Sequence, residues 1–92
     1  MGKSIMQNDK SCYFCGRVTG LEKHHVFAGV ANRPWSQRLG LWVWLCHEHH
    51  TGQSGAQFDK EKNLLLKQDA QRAFEKEHPR SEWMEIIRKN YL

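Results

Sequence analysis

Two closely spaced pairs carry the chemistry of this chain: Cys12-Tyr13-Phe14-Cys15, and some thirty residues later Cys46-His47-Glu48-His49. Ligands separated by two residues on a tight knuckle can converge on one ion, so the two pairs predict a tetrahedral Cys3His zinc site at Cys12, Cys15, Cys46 and His49. His47 competes for the fourth position, but the two-residue spacing favours His49. A site with four protein ligands has no open position, and its zinc is expected to be structural. That leaves His24, His25 and His50 over. A neutral imidazole exchanges protons near pH 7 and also ligates divalent ions, so this surplus points to acid–base or metal-assisted chemistry.

These side chains need elements to hold them. Ser11–Gly16 reads as the first knuckle, and Thr19-Gly20 marks a turn. Leu21–Phe27 reads as a short strand carrying His24 and His25, which alternation sends to opposite faces unless the strand ends or bulges there. Ala28–Gly40 is a connection in which Trp35–Leu39 can form one helical turn ended by Gly40. Leu41–Leu45 places Leu and Val on one face and Trp42 and Trp44 on the other, the pattern of a strand. Cys46–Thr51 begins a metal-bearing turn or helix, and Gly52–Gly55 is a loop. Pinning the knuckle to the end of the second strand draws His24, His25 and His50 towards one another.

The rest of the chain is predicted helical. Asp59 is a candidate N-cap, and Leu66, Ala70, Ala73 and Phe74 form one apolar stripe up to a stop at Pro79. Ser81 is expected to cap a second helix whose stripe is Trp83, Ile86, Ile87 and Tyr91, with Glu82 and Glu85 early and Arg88 and Lys89 late, the order the helix dipole favours. The tryptophans and leucines at these spacings are read as core. His78 beside Pro79 is read as a helix-end residue, and Met1–Lys10, polar throughout, is expected to fray.

At 92 residues there is room for one domain, spanning 1–92, and a chain this short commonly needs a staple such as a structural metal. Three cysteines fit a Cys3His site and leave one thiol over in a disulfide framework. Thiolate ligands imply a reducing compartment, so a cytoplasmic location is expected. A leader is not evident at Met1–Lys10, nor is any long apolar run. The net charge of +4 is unevenly spread: six basic residues face three acidic ones through Gly55, whereas eight face seven beyond it. A cationic half holding most of the histidines is suited to meet phosphate.

The residues Cys12-x2-Cys15, His24-His25-Val26-Phe27 and Leu45-Cys46-His47-Glu48-His49-His50 together resemble the HNH, or His-Me finger, nucleases, and in particular small phage-type members with a helical tail. The resemblance covers roughly Ser11 to Gly55. It implies an α+β fold: a zinc-stabilised ββα-metal finger over 11–55, with two C-terminal helices over 58–92 packed on it. It also implies that the first residue of the doublet, His24, helps to hold a catalytic divalent ion, that His25 is the general base, and that His50 is the other metal ligand. The ion would be Mg2+ or Mn2+, the substrate DNA, and the location the cytoplasm of a bacterial host if the chain is phage-encoded. Where the family commonly has Asn, five residues before the second-pair cysteine, this chain has Leu41. Asn32 is a substitute from the connecting loop or simply a turn residue. Relatives with such a tail often carry a further histidine after the Gly-rich loop, where this chain reads Gly55-Ala56-Gln57.

Two functions of different class follow. In one, the protein is a metal-dependent DNA endonuclease or nickase: His25 activates water, a cation at His50 and His24 neutralises the charge developing on the departing oxygen, and Lys23, Arg33 and Arg38 contact flanking phosphates. In the other it is a catalytically inactive zinc-braced scaffold that binds nucleic acid or a protein partner, for example a host defence nuclease that it inhibits.

Overall fold

Alternating residues at Trp42–Cys46 form strand β2, which pairs antiparallel with β1 (Leu21–His25) in a register that sets Leu21 opposite Cys46 and His25 opposite Trp42. Facing residues share a side of the hairpin. Val43 and Leu45, both fully buried, therefore share the core face with His24 and Glu22. Trp42 and Trp44 share the other face with His25 and Lys23. The computed structural model describes residues 3–27, 33–52, 55–56 and 59–92, with Arg33 described by its backbone only.

The first strand stops two residues short of the expected Phe27. Val26 still donates to the carbonyl of Leu41 at 3.1 Å. Phe27 is held outside the ladder by Ser36, whose buried Oγ accepts from its N–H at 3.1 Å and donates to its carbonyl at 2.9 Å. One hydroxyl thus satisfies both buried backbone groups, which would otherwise cost free energy in the core. Ser36 belongs to α1 (Arg33–Leu39), a little longer than the single turn expected and ended as expected by Gly40 at φ +75°. A side chain at Gly40 would also collide with the carbonyl oxygen of Lys3.

Residues 3–10 are not frayed. Ile5 donates to the Gly40 carbonyl at 3.0 Å, Ser4 Oγ donates to the Trp42 carbonyl, and Gln7 Oε1 accepts from the N–H of Trp44 at 2.7 Å. The knuckle continues this edge, Tyr13 donating to the Trp44 carbonyl at 2.9 Å. The outer edge of β2 needs partners for its backbone groups, and the backbone of Ile5 and the side chains of Ser4 and Gln7 help to supply them.

After β2 comes α2 (His47–His50), then the tail helices α3 (Lys60–Glu75) and α4 (Arg80–Ile86). The order of the first part is ββα-like, and the whole is α+β. Asp59 caps α3 as predicted, its carboxylate accepting from the N–H groups of Glu61 and Lys62 at 3.0 and 3.2 Å. Leu66, Ala70 and Phe74 are buried, whereas Ala73 of the predicted stripe is only half-buried and Gln71 is fully buried. The Gln71 amide spends its donors on Glu75 and Asn90, and its oxygen accepts from Tyr91 N–H at 2.8 Å. A fully paired amide tolerates such a position.

Pro79 is the cap of α4, two residues ahead of the predicted Ser81. A proline disfavours helix in the residue before it and is itself compatible with the extended cap geometry, here φ −71° and ψ 157°. The helix ends at Ile86, and Arg88 at φ +67° turns the chain back, so Tyr91 lies beyond the helix and packs on Phe27 at 5.7 Å. Trp83 is the keystone of this half. It is fully buried, its ring is 5.5 Å from both Phe27 and Phe74, and its indole N–H donates to the Lys89 carbonyl at 2.8 Å. Among the described residues, no helix is long and apolar enough to cross a membrane.

Candidate metal centre

The knuckle is set by Gly16, at φ +78°, whose N–H donates to the Cys12 carbonyl at 2.9 Å while Cys12 N–H donates to Arg17 at 2.8 Å. This turn aims Cys12 and Cys15 at the junction of β2 and α2, where Cys46 ends the strand and His49 sits one helical turn on. The four ligand atoms of Cys12, Cys15, Cys46 and His49 all lie within 4.8 Å of one another. Individual separations are 3.8 Å for Cys15 Sγ–Cys46 Sγ, 3.6 Å for Cys12 Sγ–His49 Nδ1 and 3.2 Å for Cys46 Sγ–His49 Nδ1. Zinc–sulfur bonds of about 2.3 Å in a tetrahedron imply ligand atoms roughly 3.8 Å apart, so the group fits a structural metal such as zinc.

The local field suits thiolates unevenly. Burial raises the Cys12 thiol, but backbone hydrogen bonds at Cys46, Cys15 and Phe14 outweigh it and bring its pKa down to about 6. At Cys15 the Arg17 backbone hydrogen bond lowers the pKa, yet burial and the thiols of Cys12 and Cys46 leave it raised. Three thiols crowded together cannot all ionise cheaply, and a bound cation removes that conflict. His47 is left out: its side chain is 75% exposed, and its Nδ1 lies 3.3 Å from Glu22 Oε2.

A second cluster lies on the core face of β1. His24 is only 7% exposed, and its ring meets that of His50 edge-on, with centroids 5.2 Å apart. His50 Nδ1 in turn lies 2.6 Å from Glu22 Oε1. Burial first, and then the charges of His50, His25 and Lys67, depress the His24 pKa to about 4, so its imidazole is neutral at pH 7. A carboxylate receiving the Nδ1–H of His50 leaves Nε2 with its lone pair, the arrangement that orients histidines for metals. Among the described residues, no group of three or more ligand atoms as close as the Cys3His set occurs here.

The doublet does not point one way. His25, the last residue of β1, lies on the face of Trp42, and its Nε2 is 2.8 Å from Gln37 Oε1 on α1. With Oε1 accepting, the ring proton sits on Nε2 and Nδ1 keeps its lone pair. The structure therefore brings His24 to His50 and gives His25 a separate partner. Lys23 and Arg38 are also on aromatic partners: Lys23 Nζ is 4.1 Å from the Trp42 ring centre and Arg38 is 5.3 Å from that of Trp35. The Arg33 side chain, Asn32 and Gln57 lie outside the described residues. Leu41, at the family's Asn position, is fully buried apolar core.

Sequence reasoning missed Glu22 and Gln37. Glu22 had a signal, since it stands two residues before His24 and so shares its face of the strand. Gln37 had none, because its pairing with His25 arises only when α1 docks on β1. His78 stacks on Phe74 at 4.6 Å and lies 3.0 Å from Glu82, in keeping with a helix-end role. No protein-family model, curated protein or solved structure matches the chain.

Proposed function

We propose that this protein is a metal-dependent DNA endonuclease or nickase of the HNH type, braced by zinc at Cys12, Cys15, Cys46 and His49. The observation that carries this reading is the Glu22–His50–His24 cluster beside the Cys3His group. Glu22 accepts from Nδ1 of His50 and orients its ring, and burial keeps His24 neutral, so that His24 presents a nitrogen lone pair at physiological pH. A divalent ion bound there, Mg2+ or Mn2+, would supply charge neutralisation at the departing oxygen. His25, with Nε2–H bonded to Gln37, keeps Nδ1 free to accept a proton from water. The expected result is nicking of supercoiled plasmid with Mg2+ or Mn2+, abolished by His25→Ala and by His50→Ala.

A second reading is favoured by one observation: His25 stands on the face of Trp42, away from the His24–His50 pair. If the base and the ion do not act on one phosphate, the molecule is a zinc-braced scaffold that binds nucleic acid or a protein partner. Tight binding that survives His25→Ala, with no cleavage under any divalent ion, would establish that alternative.

A further inference from the structure

The helical tail is nearly neutral by count, yet its fold gathers cations on one side. Lys60, Asn63, Leu64 and Lys67 occur at i, i+3, i+4 and i+7 and so share a face of α3, with the two lysines about 10 Å apart along the axis. That face, with Ala56, Lys89 and Tyr91, lines a groove of about 330 Å3. Its acidic member, Asp59, already accepts from Lys62 at 3.1 Å. The Tyr91 ring is flanked by two ammonium groups, Lys67 Nζ at 5.6 Å and Lys89 Nζ at 5.2 Å. Leu64 is 46% exposed beside it.

This platform is held rigidly. Tyr91 N–H donates to the buried Gln71, Gln68 donates to the Tyr91 carbonyl at 3.0 Å, and the ring rests on Phe27. It also borders the candidate metal centre. Ala56 donates to the His49 carbonyl at 2.8 Å, next to His50, and Asn63 donates to the Ala56 carbonyl. Lys67 is near enough to His24 to disfavour its protonation.

We propose that this groove binds a single nucleic-acid strand, with Lys60, Lys67 and Lys89 on phosphates and a base against Tyr91 and Leu64. Amines beside an aromatic face and an exposed apolar side chain match the two halves of a nucleotide, and a duplex does not offer an unstacked base. The proposal rests on the nuclease reading only for what happens to the strand, since binding needs no second metal.

The test is fluorescence anisotropy of a labelled oligo-dT 20-mer and of a 20-base-pair duplex, using the full zinc-loaded chain without added Mg2+. Lys67→Glu/Lys89→Glu should weaken oligo-dT binding at least tenfold and reduce the slope of log K against log salt by about two. Lys10→Glu/Lys76→Glu, two exposed positions outside the groove, should change affinity less than twofold. Lys60→Glu, at an exposed helical position, gives a second readout if the double variant does not fold. Unchanged affinity in Lys67→Glu/Lys89→Glu or Lys60→Glu, an equal loss in Lys10→Glu/Lys76→Glu, or duplex binding as tight as oligo-dT would overturn the proposal. Binding that depends on these lysines, with no cleavage once Mg2+ or Mn2+ is added, would sink the nuclease reading and leave this one standing.

Discussion

Glu22 Oε1 lies 2.6 Å from Nδ1 of His50, a hydrogen bond from strand β1 to helix α2 that ties the hairpin to the helix following it. The same carboxylate reaches His47 at 3.3 Å, and its pKa is lowered by the hydrogen bonds from His50 and then His47. Metal-ligating imidazoles depend on such partners for tautomer and orientation, and losing the partner typically costs about 10–100-fold in affinity or activity. Glu22→Gln should therefore weaken Mn2+ binding by about that factor, measured by titration calorimetry. Its zinc content, read by atomic absorption, should stay that of the wild type, because the Glu22 carboxylate bonds to His50 and His47, neither of which belongs to the Cys3His group.

Loss of the Cys3His metal should unfold the molecule. The group joins the knuckle, the end of β2 and α2. Structural zinc contributes on the order of 10 kcal/mol to such folds. Cys46→Ser, or a strong chelator added to the wild type, should abolish the cooperative thermal transition seen by circular dichroism. One zinc per chain is the expected stoichiometry, and retention of the transition in metal-free protein would contradict a structural role.

Acid should destabilise the protein partly through His24. Its folded pKa, about 4, is depressed from an ordinary 6.5. The unfolded chain therefore binds the proton more readily than the folded one. Stability from this residue is fully present above pH 6.5 and is lost as pH falls towards 4, a swing of about 3 kcal/mol at most. The thiolates also protonate in acid, so the measurement is a comparison: denaturant unfolding of wild type and His24→Leu across this range. The variant should show the shallower pH dependence, its stability rising relative to wild type as pH falls below 6.5 and the change levelling off below pH 4.

Arg88 occupies the left-handed region, at φ +67°, where the chain turns back after α4. Residues with a side chain lose roughly 1 kcal/mol or more there, which is why glycine commonly ends helices in this way. Arg88→Gly should raise stability by about 0.5–1 kcal/mol, the gain being reduced by glycine's greater freedom when unfolded. A lower melting temperature in the variant would show that the Arg88 side chain contributes more than its strain.

Much of this molecule was legible without coordinates. The two knuckle pairs named the four residues that converge in the Cys3His group, because ligand spacing is a local property of the chain. Asp59, Gly40 and the alternation at β2 were read correctly for the same reason, each being decided by one residue or one short period. The errors at the ends of elements have one local cause and one distant one. Pro79 took the cap expected of Ser81, and the open edge of β2 recruited residues 3–10 through hydrogen bonds spanning more than thirty positions.

What only the tertiary structure decided is which side chains meet. Sequence spacing could not show that α1 brings Gln37 to His25, that Glu22 reaches His50, or that Gln71 closes the C-terminal segment over α3. Nor could it place the cations, since Lys23 and Arg38 lie on tryptophans while Lys60, Lys67 and Lys89 share a groove. Ligand spacing and periodicity act over a few residues and are written in the chain. Partnership between distant side chains depends on how helices dock on the hairpin, and that is fixed by the sum of the packing around Phe27, Phe74 and Trp83 rather than by any short stretch of residues.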